Sequence, residues 1–224
     1  RFQSIFDDYR SMLPYAILGI IAGALASATL LGFEYALSAP GRFWIPVDAG
    51  VDFEHLPPWL RFSLPLGGAI VLGLAFSMLS PDHREVGIVH VLSRMHSHYG
   101  QLPLINAVVQ FVGGAFALAT GQSGGREGPG VHLGAAINSK LANRLGLPNN
   151  SQRILIACGT DGGIAAAFNT PLAGVIFAME VIVTEYTVIG FMPVILAAAS
   201  ATTVARIFSD SGAIFAIPNA SLVS

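Results

Sequence analysis

Gly121-Gln122-Ser123-Gly124-Gly125-Arg126-Glu127-Gly128-Pro129-Gly130-Val131-His132-Leu133-Gly134 joins an uncharged run of 27 residues, Tyr99 to Gly125, to a shorter apolar stretch. Glycines let the backbone turn sharply and approach a ligand closely. Pro129 presets the first turn of the helix that follows. That helix points its unpaired N–H groups back toward residues 125–129, and its end carries about half a positive elementary charge. Such an end binds an anion without a cationic side chain. Glu127 stands at the same end. Its carboxylate can occupy the place of a free anion, and protonation would weaken its hold. Glu127 therefore reads as a gate worked by pH or by the anion itself, since an ionisable group inside a membrane segment points to function. The plainer reading is a helix cap paired with Arg126. A nucleotide P-loop fits poorly, because Arg126 replaces the required Gly-Lys-Ser/Thr and no strand precedes it.

Outward from this stretch, the composition has one consistent meaning. Hydrophobic residues make up 53% of the 224 and charged residues only 11%, against roughly 25% charged in a soluble domain. The chain reads as membrane-embedded, and its 25 glycines suit close helix packing in lipid. The formal net charge of -2 gives no case for nucleic acid. Cys158 is the one cysteine and reads as a small apolar core residue, with no disulfide inside the chain. The chain starts at Arg1 rather than Met, as a piece of a longer protein would. Charges at Arg1, Asp7, Asp8 and Arg10 precede an apolar run without a cleavage site, unlike a secretory signal peptide.

The apolar runs set the expected organisation. Residues 1–10 suit a short interfacial helix. Ser11 to Phe33 is uncharged for 23 residues, enough to cross about 30 Å of hydrocarbon. Its Gly19, Gly23, Ala26 and Ser27 form a candidate packing face. Residues 34–61, with Pro40, Pro46, Pro57 and Pro58, read as an extramembrane connection. Phe62 to Pro81 is a second span. Asp82 to His98 is too short and polar to cross and suits a helix dipping into the protein. Gly128 to Ser139, 12 residues, also cannot cross alone. Ser151 reads as an N-cap. Ile154 to Phe168 is interrupted by Asp161-Gly162-Gly163, and Asn169-Thr170-Pro171 starts a helix running to Glu185. Tyr186 to Ala205 is the last uncharged run, and residues 206–224 read as loop. The expectation is five to seven membrane helices of very unequal length, broken near 124–129 and 168–171, with no internal repeat. Broken helices at membrane depth mark substrate sites.

Gly125-Arg126-Glu127-Gly128-Pro129 resembles the G-R/K-E-G-P signature of CLC chloride channels and proton-coupled chloride exchangers. Gly163-Ile164-Ala165-Ala166-Ala167-Phe168-Asn169-Thr170-Pro171-Leu172-Ala173-Gly174-Val175-Ile176-Phe177-Ala178-Met179-Glu180 is similar to that family's next two helices. The resemblance runs from about residue 12 to residue 207. It implies an all-α, multi-pass transmembrane protein, with residues 1–224 as the N-terminal half of an inverted-repeat fold. It implies Glu127 as the gating glutamate of a voltage- or pH-gated chloride channel. Gly125, Arg126, Glu127 and Gly128 would line the outer anion site, and Val86, Gly87 and Ile88 the central one. The alternative is a proton-coupled chloride or fluoride antiporter. The resemblance also implies a homodimer with its interface within residues 171–205, a cell (inner) membrane location, a cytoplasmic N-terminus, and chloride as cargo with no cofactor.

The chain departs from the family pattern in three places. Glu85-Val86-Gly87-Ile88-Val89 aligns with a G-S-G-I-P loop, but Val86 replaces the anion-contacting Ser and Val89 the Pro. Anion binding there must use backbone N–H groups or differ in selectivity, and the fluoride-handling branch also changes this Ser. Val181 stands where coupled members carry an inner glutamate, which favours passive conduction. Glu185 is a possible substitute or an interfacial charge. No G-x-F-x-P segment of a second half occurs, so the chain alone should not complete a pore.

Other residues carry weaker signals. His83, His90, His96 and His98 read as interfacial or polar-helix residues rather than metal ligands. Asp161 is either a hydrogen-bonding residue at a helix break or a pathway-lining one. Trp44, Trp59 and Tyr99 fit interfacial anchors. An enzyme with Glu127 and His132 as acid and base lacks a visible nucleophile or metal. A purely structural membrane subunit would leave Glu127→Ala without functional effect.

Overall fold

The computed structural model describes residues 12–43, 56–97, 100–183 and 188–208, and every regular element among them is helical. Three helices are long and apolar enough to cross a membrane. The first, α1 (Met12–Phe43), buries Tyr15, Leu18, Ala22, Ala26, Leu30 and Phe33. Three- and four-residue steps put these side chains on one stripe. The helix overruns the expected end at Phe33 by ten residues, because Tyr35, Ala36 and Leu37 prolong its helical pattern past the first charge, Glu34. The extramembrane connection therefore begins later than expected, and residues 44–55, with Trp44, lie outside the described set.

α2 (Pro58–Met78) is the expected second span and buries only Gly68. α3 (Pro81–Arg84) and α4 (Gly87–Ser97) form the short dipping segment. α4 turns His90, Val91 and Met95 inward. The long uncharged run yields only 16 helical residues, α5 (Leu104–Ala119), begun after Pro103 and stopped by Thr120 and Gly121 at φ 79°. α6 (Glu127–Leu145) starts at the predicted break, and α7 (Asn149–Phe168) follows a left-handed Gly146.

α7 is the central post, packed by α1, α6, α8 (Pro171–Phe177) and α9 (Val188–Phe208). Small residues permit this. Gly130 faces Gly163 and Gly134 faces Gly159 across the α6–α7 crossing, where any added Cβ would press on the opposite backbone. Gly19 packs on Pro193 and Gly23 on Ala197, as the packing face on α1 predicts.

Three local expectations are corrected. Asp161-Gly162-Gly163 does not interrupt α7, because the two glycines admit neighbouring helices rather than bend the chain: Gly162 meets Ala26 of α1 and Gly163 meets Gly130 of α6. Ser151 is not an N-cap. The cap is Pro148, without a side-chain bond, and the Ser151 hydroxyl pairs with Tyr15 at 2.6 Å. The helix from Pro171 loses α geometry at Ala178 and continues as a π-helical stretch, Ala178–Val183. Glu185 and Tyr186 lie outside the described residues, as do residues 1–11 and 209–224. The break at Asn169 is as expected: left-handed at φ 54°, with Pro171 opening the next helix.

Candidate functional site

The chain turns through Gly121–Gly125 and enters α6 at Glu127, with Arg126 in the cap position at φ -83° and ψ -3°. Gly130 N–H donates to Arg126 C=O at 2.8 Å and closes the first turn. The amides ahead of it belong to the group of helical N–H donors with no partner inside their helix. No side chain caps them. From Pro129 onward α6 is buried almost continuously to Ala136, so its dipole runs through protein rather than water.

Arg126 does not pair with Glu127. Its guanidinium donates to Oε1 of Glu34 on α1 at 2.6 Å, which ties the turn to the first helix. The Glu127 carboxylate instead folds back over Gly125: a Cβ on that glycine would collide with Oε2. Gly125, Arg126, Glu127 and Gly128 thus form one contiguous turn of half-exposed or exposed residues around unpaired helical donors.

The second predicted loop opens α4. Gly87 takes φ 76°, a left-handed geometry natural to glycine, and Val86 and Ile88 flank it half-buried. Val89 is exposed. The loop is fastened to α5, where Asn106 Nδ2 donates to the carbonyls of Asp82 at 2.7 Å and Glu85 at 2.9 Å. A hydrogen-bonding contact between α4 and α6 lies a turn deeper, between His90 and His132, whose Nδ1 and Nε2 are 2.9 Å apart.

The histidines therefore divide. His83 bonds the Ser80 hydroxyl and His96 the Leu92 carbonyl, both exposed. His90 sits on a helix, as the polar-helix reading expects, but is buried rather than interfacial, because α4 turns that face to the core. His98 and Tyr99 lie outside the described residues. No three of the described His, Cys, Asp or Glu residues gather as metal ligands. Asp161 is fully buried against Gly174 of α8 and lines no open surface of this chain. Trp59 is exposed at the start of α2, where an interfacial anchor belongs. Val181 lies half-buried in the π-helical stretch.

Four residues of this region carried little weight in the sequence: Glu34, Asn106, Gln110 and the His90 partner of His132. Asn106 and Gln110 stand four apart in an apolar helix and are both buried, a spacing that marks an inward polar face. Glu34 is the first charge after 23 uncharged residues, but its partner lies 92 positions away.

Comparisons with known proteins agree with the all-helical fold. A family model described as voltage gated chloride channel matches residues 67–224. The H(+)/Cl(-) exchange transporter ClcA of Vibrio cholerae is 31% identical over 219 residues, 92% of this chain and 45% of the relative. A chloride/fluoride channel protein of Pseudomonas syringae is 30% identical over 171 residues, 76% of this chain and 36% of the relative. A solved structure of a CLC-type fluoride/proton antiporter superposes with a TM-score of 0.68 at 28% identity, covering 87% of this chain and 46% of that one. The chain spans about half the length of the curated relatives it matches.

Proposed function

Because this chain belongs to the voltage-gated chloride channel family, we propose that it builds one half of an anion pathway through a membrane, gated by Glu127. The observation that carries this reading is the turn at Gly125–Gly128. Unpaired helical N–H groups open a buried helix there, and the Glu127 carboxylate lies beside them, folded back over Gly125. Protonation removes the carboxylate's charge and frees the donors for a chloride or fluoride ion. Arg126, held by Glu34, fixes the turn instead of neutralising the gate.

The central anion contact falls to Val86, Gly87 and Ile88. Valine offers no hydroxyl, so backbone N–H groups at the start of α4 act there. Passive conduction is the leading reading, since Val181 supplies no acid on the inner side. Proton-coupled exchange is the second reading, favoured by the exchange activity named for ClcA. The whole pathway needs a second half of similar size, and a second copy docks on the apolar faces of α8 and α9 at Leu172, Ile176, Phe191 and Ile195. Transport, not catalysis, is the function, and the membrane is the cell (inner) membrane.

The test is flux from liposomes containing the full-length protein, loaded with chloride or fluoride, for wild type and Glu127→Gln. Anion efflux that Glu127→Gln raises or makes insensitive to pH is the expected result. Efflux without coupled protons selects a channel, and uphill proton movement an exchanger. Anion efflux indifferent to Glu127→Gln would overturn the gate, and no efflux of either halide would overturn the function.

A further inference from the structure

His90 and His132 form a line of nitrogens that the anion pathway does not use. His132 is 0% exposed on α6 and His90 4% exposed on α4. Their ring centroids are 5.1 Å apart at 40°. Nδ1 of His90 meets Nε2 of His132 at 2.9 Å. The second nitrogen of His90, Nε2, lies 3.8 Å from Oε2 of Glu85, whose side chain is 59% exposed. The second nitrogen of His132, Nδ1, is buried without a partner. Each ring thus has one nitrogen toward the surface side and one toward the interior.

We propose that Glu85, His90 and His132 form a proton relay between the surface and the interior beside the anion pathway, a role that rests on the proton-coupled reading above and not on passive conduction. A neutral imidazole accepts a proton at one nitrogen and releases another from its opposite nitrogen, so two rings in series move charge without moving atoms far. In the outward direction, Nδ1 of His132 takes a proton from hydronium, leaving water. Nε2–H of His132 passes its proton to Nδ1 of His90. The exposed Glu85 side chain swings in from 3.8 Å to take the proton of His90 Nε2–H and then releases it to bulk water. Each ring ends neutral in its other tautomer, and the same steps reversed carry a proton inward.

The surroundings suit this task. The charged groups acting on the pair are Glu85 and Arg94, both from the α3–α4 segment, and none acts from α6. α5 presents uncharged amides. Asn106 is held with Nδ2 on two carbonyls, leaving Oδ1 unpaired, and Oε1 of Gln110 beside Gly87 is also unpaired. Together with Nδ1 of His132 these are acceptors, the groups to which a proton-carrying water donates. A purely structural imidazole pair would account for the 2.9 Å contact but not for a buried, unpaired inner nitrogen on His132.

The full-length protein is reconstituted, and proton and anion movements are recorded together for wild type, His132→Gln and His90→Gln. Glutamine keeps a hydrogen bond between the helices but cannot pass a proton through. The expected result is proton movement reduced about 100-fold with anion flux unchanged. Undiminished proton movement in His132→Gln overturns the relay. So does a wild type that moves anions without protons, and in that case the anion reading stands. The absence of anion flux refutes the proposed function instead, and the relay is then decided by 15N spectra of the wild-type histidines. Exchange-averaged tautomers on both rings support it, and one fixed tautomer overturns it.

Discussion

Gly125 and Glu127 constrain one another, because the carboxylate occupies the volume where a Cβ at 125 would stand. Gly125→Ala must therefore drive the Glu127 side chain into another rotamer. The expected outcome in liposome flux is a shift of Gly125→Ala in the same direction as Glu127→Gln, since both clear the carboxylate from the helix end. Wild-type flux in Gly125→Ala would show that the folded-back carboxylate is not the closed gate. The neighbouring ion pair predicts a smaller effect. Glu34 and Arg126 are both partly exposed, so their pair stabilises by less than about 1 kcal/mol. Glu34→Gln should leave thermal unfolding in detergent nearly unchanged while loosening the turn that carries the gate. A stability loss well above that range would mean that the pair is screened from water in the assembled protein.

At the scale of elements, the α6–α7 crossing depends on hydrogen atoms where other residues carry Cβ. Gly134 and Gly159 each meet the other's backbone, and Gly130 and Gly163 do the same. Gly159→Val should destabilise by about 3 kcal/mol or more, the upper end for overpacking, because backbone cannot move aside as a side chain can. Urea unfolding of the detergent-solubilised protein reads it, and an unchanged midpoint would refute the crossing. Asn169 predicts a contrast: its left-handed φ of 54° makes Asn169→Val cost about 1–2 kcal/mol. Asn169→Gly keeps the geometry and loses only the 2.7 Å bond from Arg206. These glycines also explain what the sequence disclosed of the elements. The breaks at 124–129 and 168–171 were legible because Gly or Asn stands there with Pro close behind, a combination that ends helices. Gly162-Gly163 looked like a break for the same reason, and nothing local distinguishes a glycine that bends a chain from one that admits a neighbour. The site was legible as the turn at Gly125–Gly128 but not as a constellation. Arg126 with Glu34, and His90 with His132, are set by helix packing across 92 and 42 positions, which no spacing rule encodes.

For the molecule as a whole, the decisive feature is how much apolar surface remains uncovered. α2 buries only Gly68 and leaves Phe62, Leu66, Ile70, Val71, Leu74 and Met78 exposed. A soluble monomer rarely presents so continuous a patch, whereas lipid covers it without loss. A helix of 21 residues spans about 30 Å, matching the hydrocarbon core. Ile70 lies near its middle and is 56% exposed, so it faces lipid or another part of the assembled protein. The two surroundings respond differently to charge. In lipid, Ile70→Arg should reduce insertion of α2 by about 3 kcal/mol, whereas Trp59→Arg at the helix end costs little because the side chain reaches the headgroups. An insertion assay with glycosylation tags on either side of α2 measures both variants in one scale. A large loss for Ile70→Arg beside a small one for Trp59→Arg places this face at the bilayer centre. Equal insertion of the two would mean that the face of α2 at Ile70 packs on protein, and the exposed surface would then mark a seam between protein surfaces.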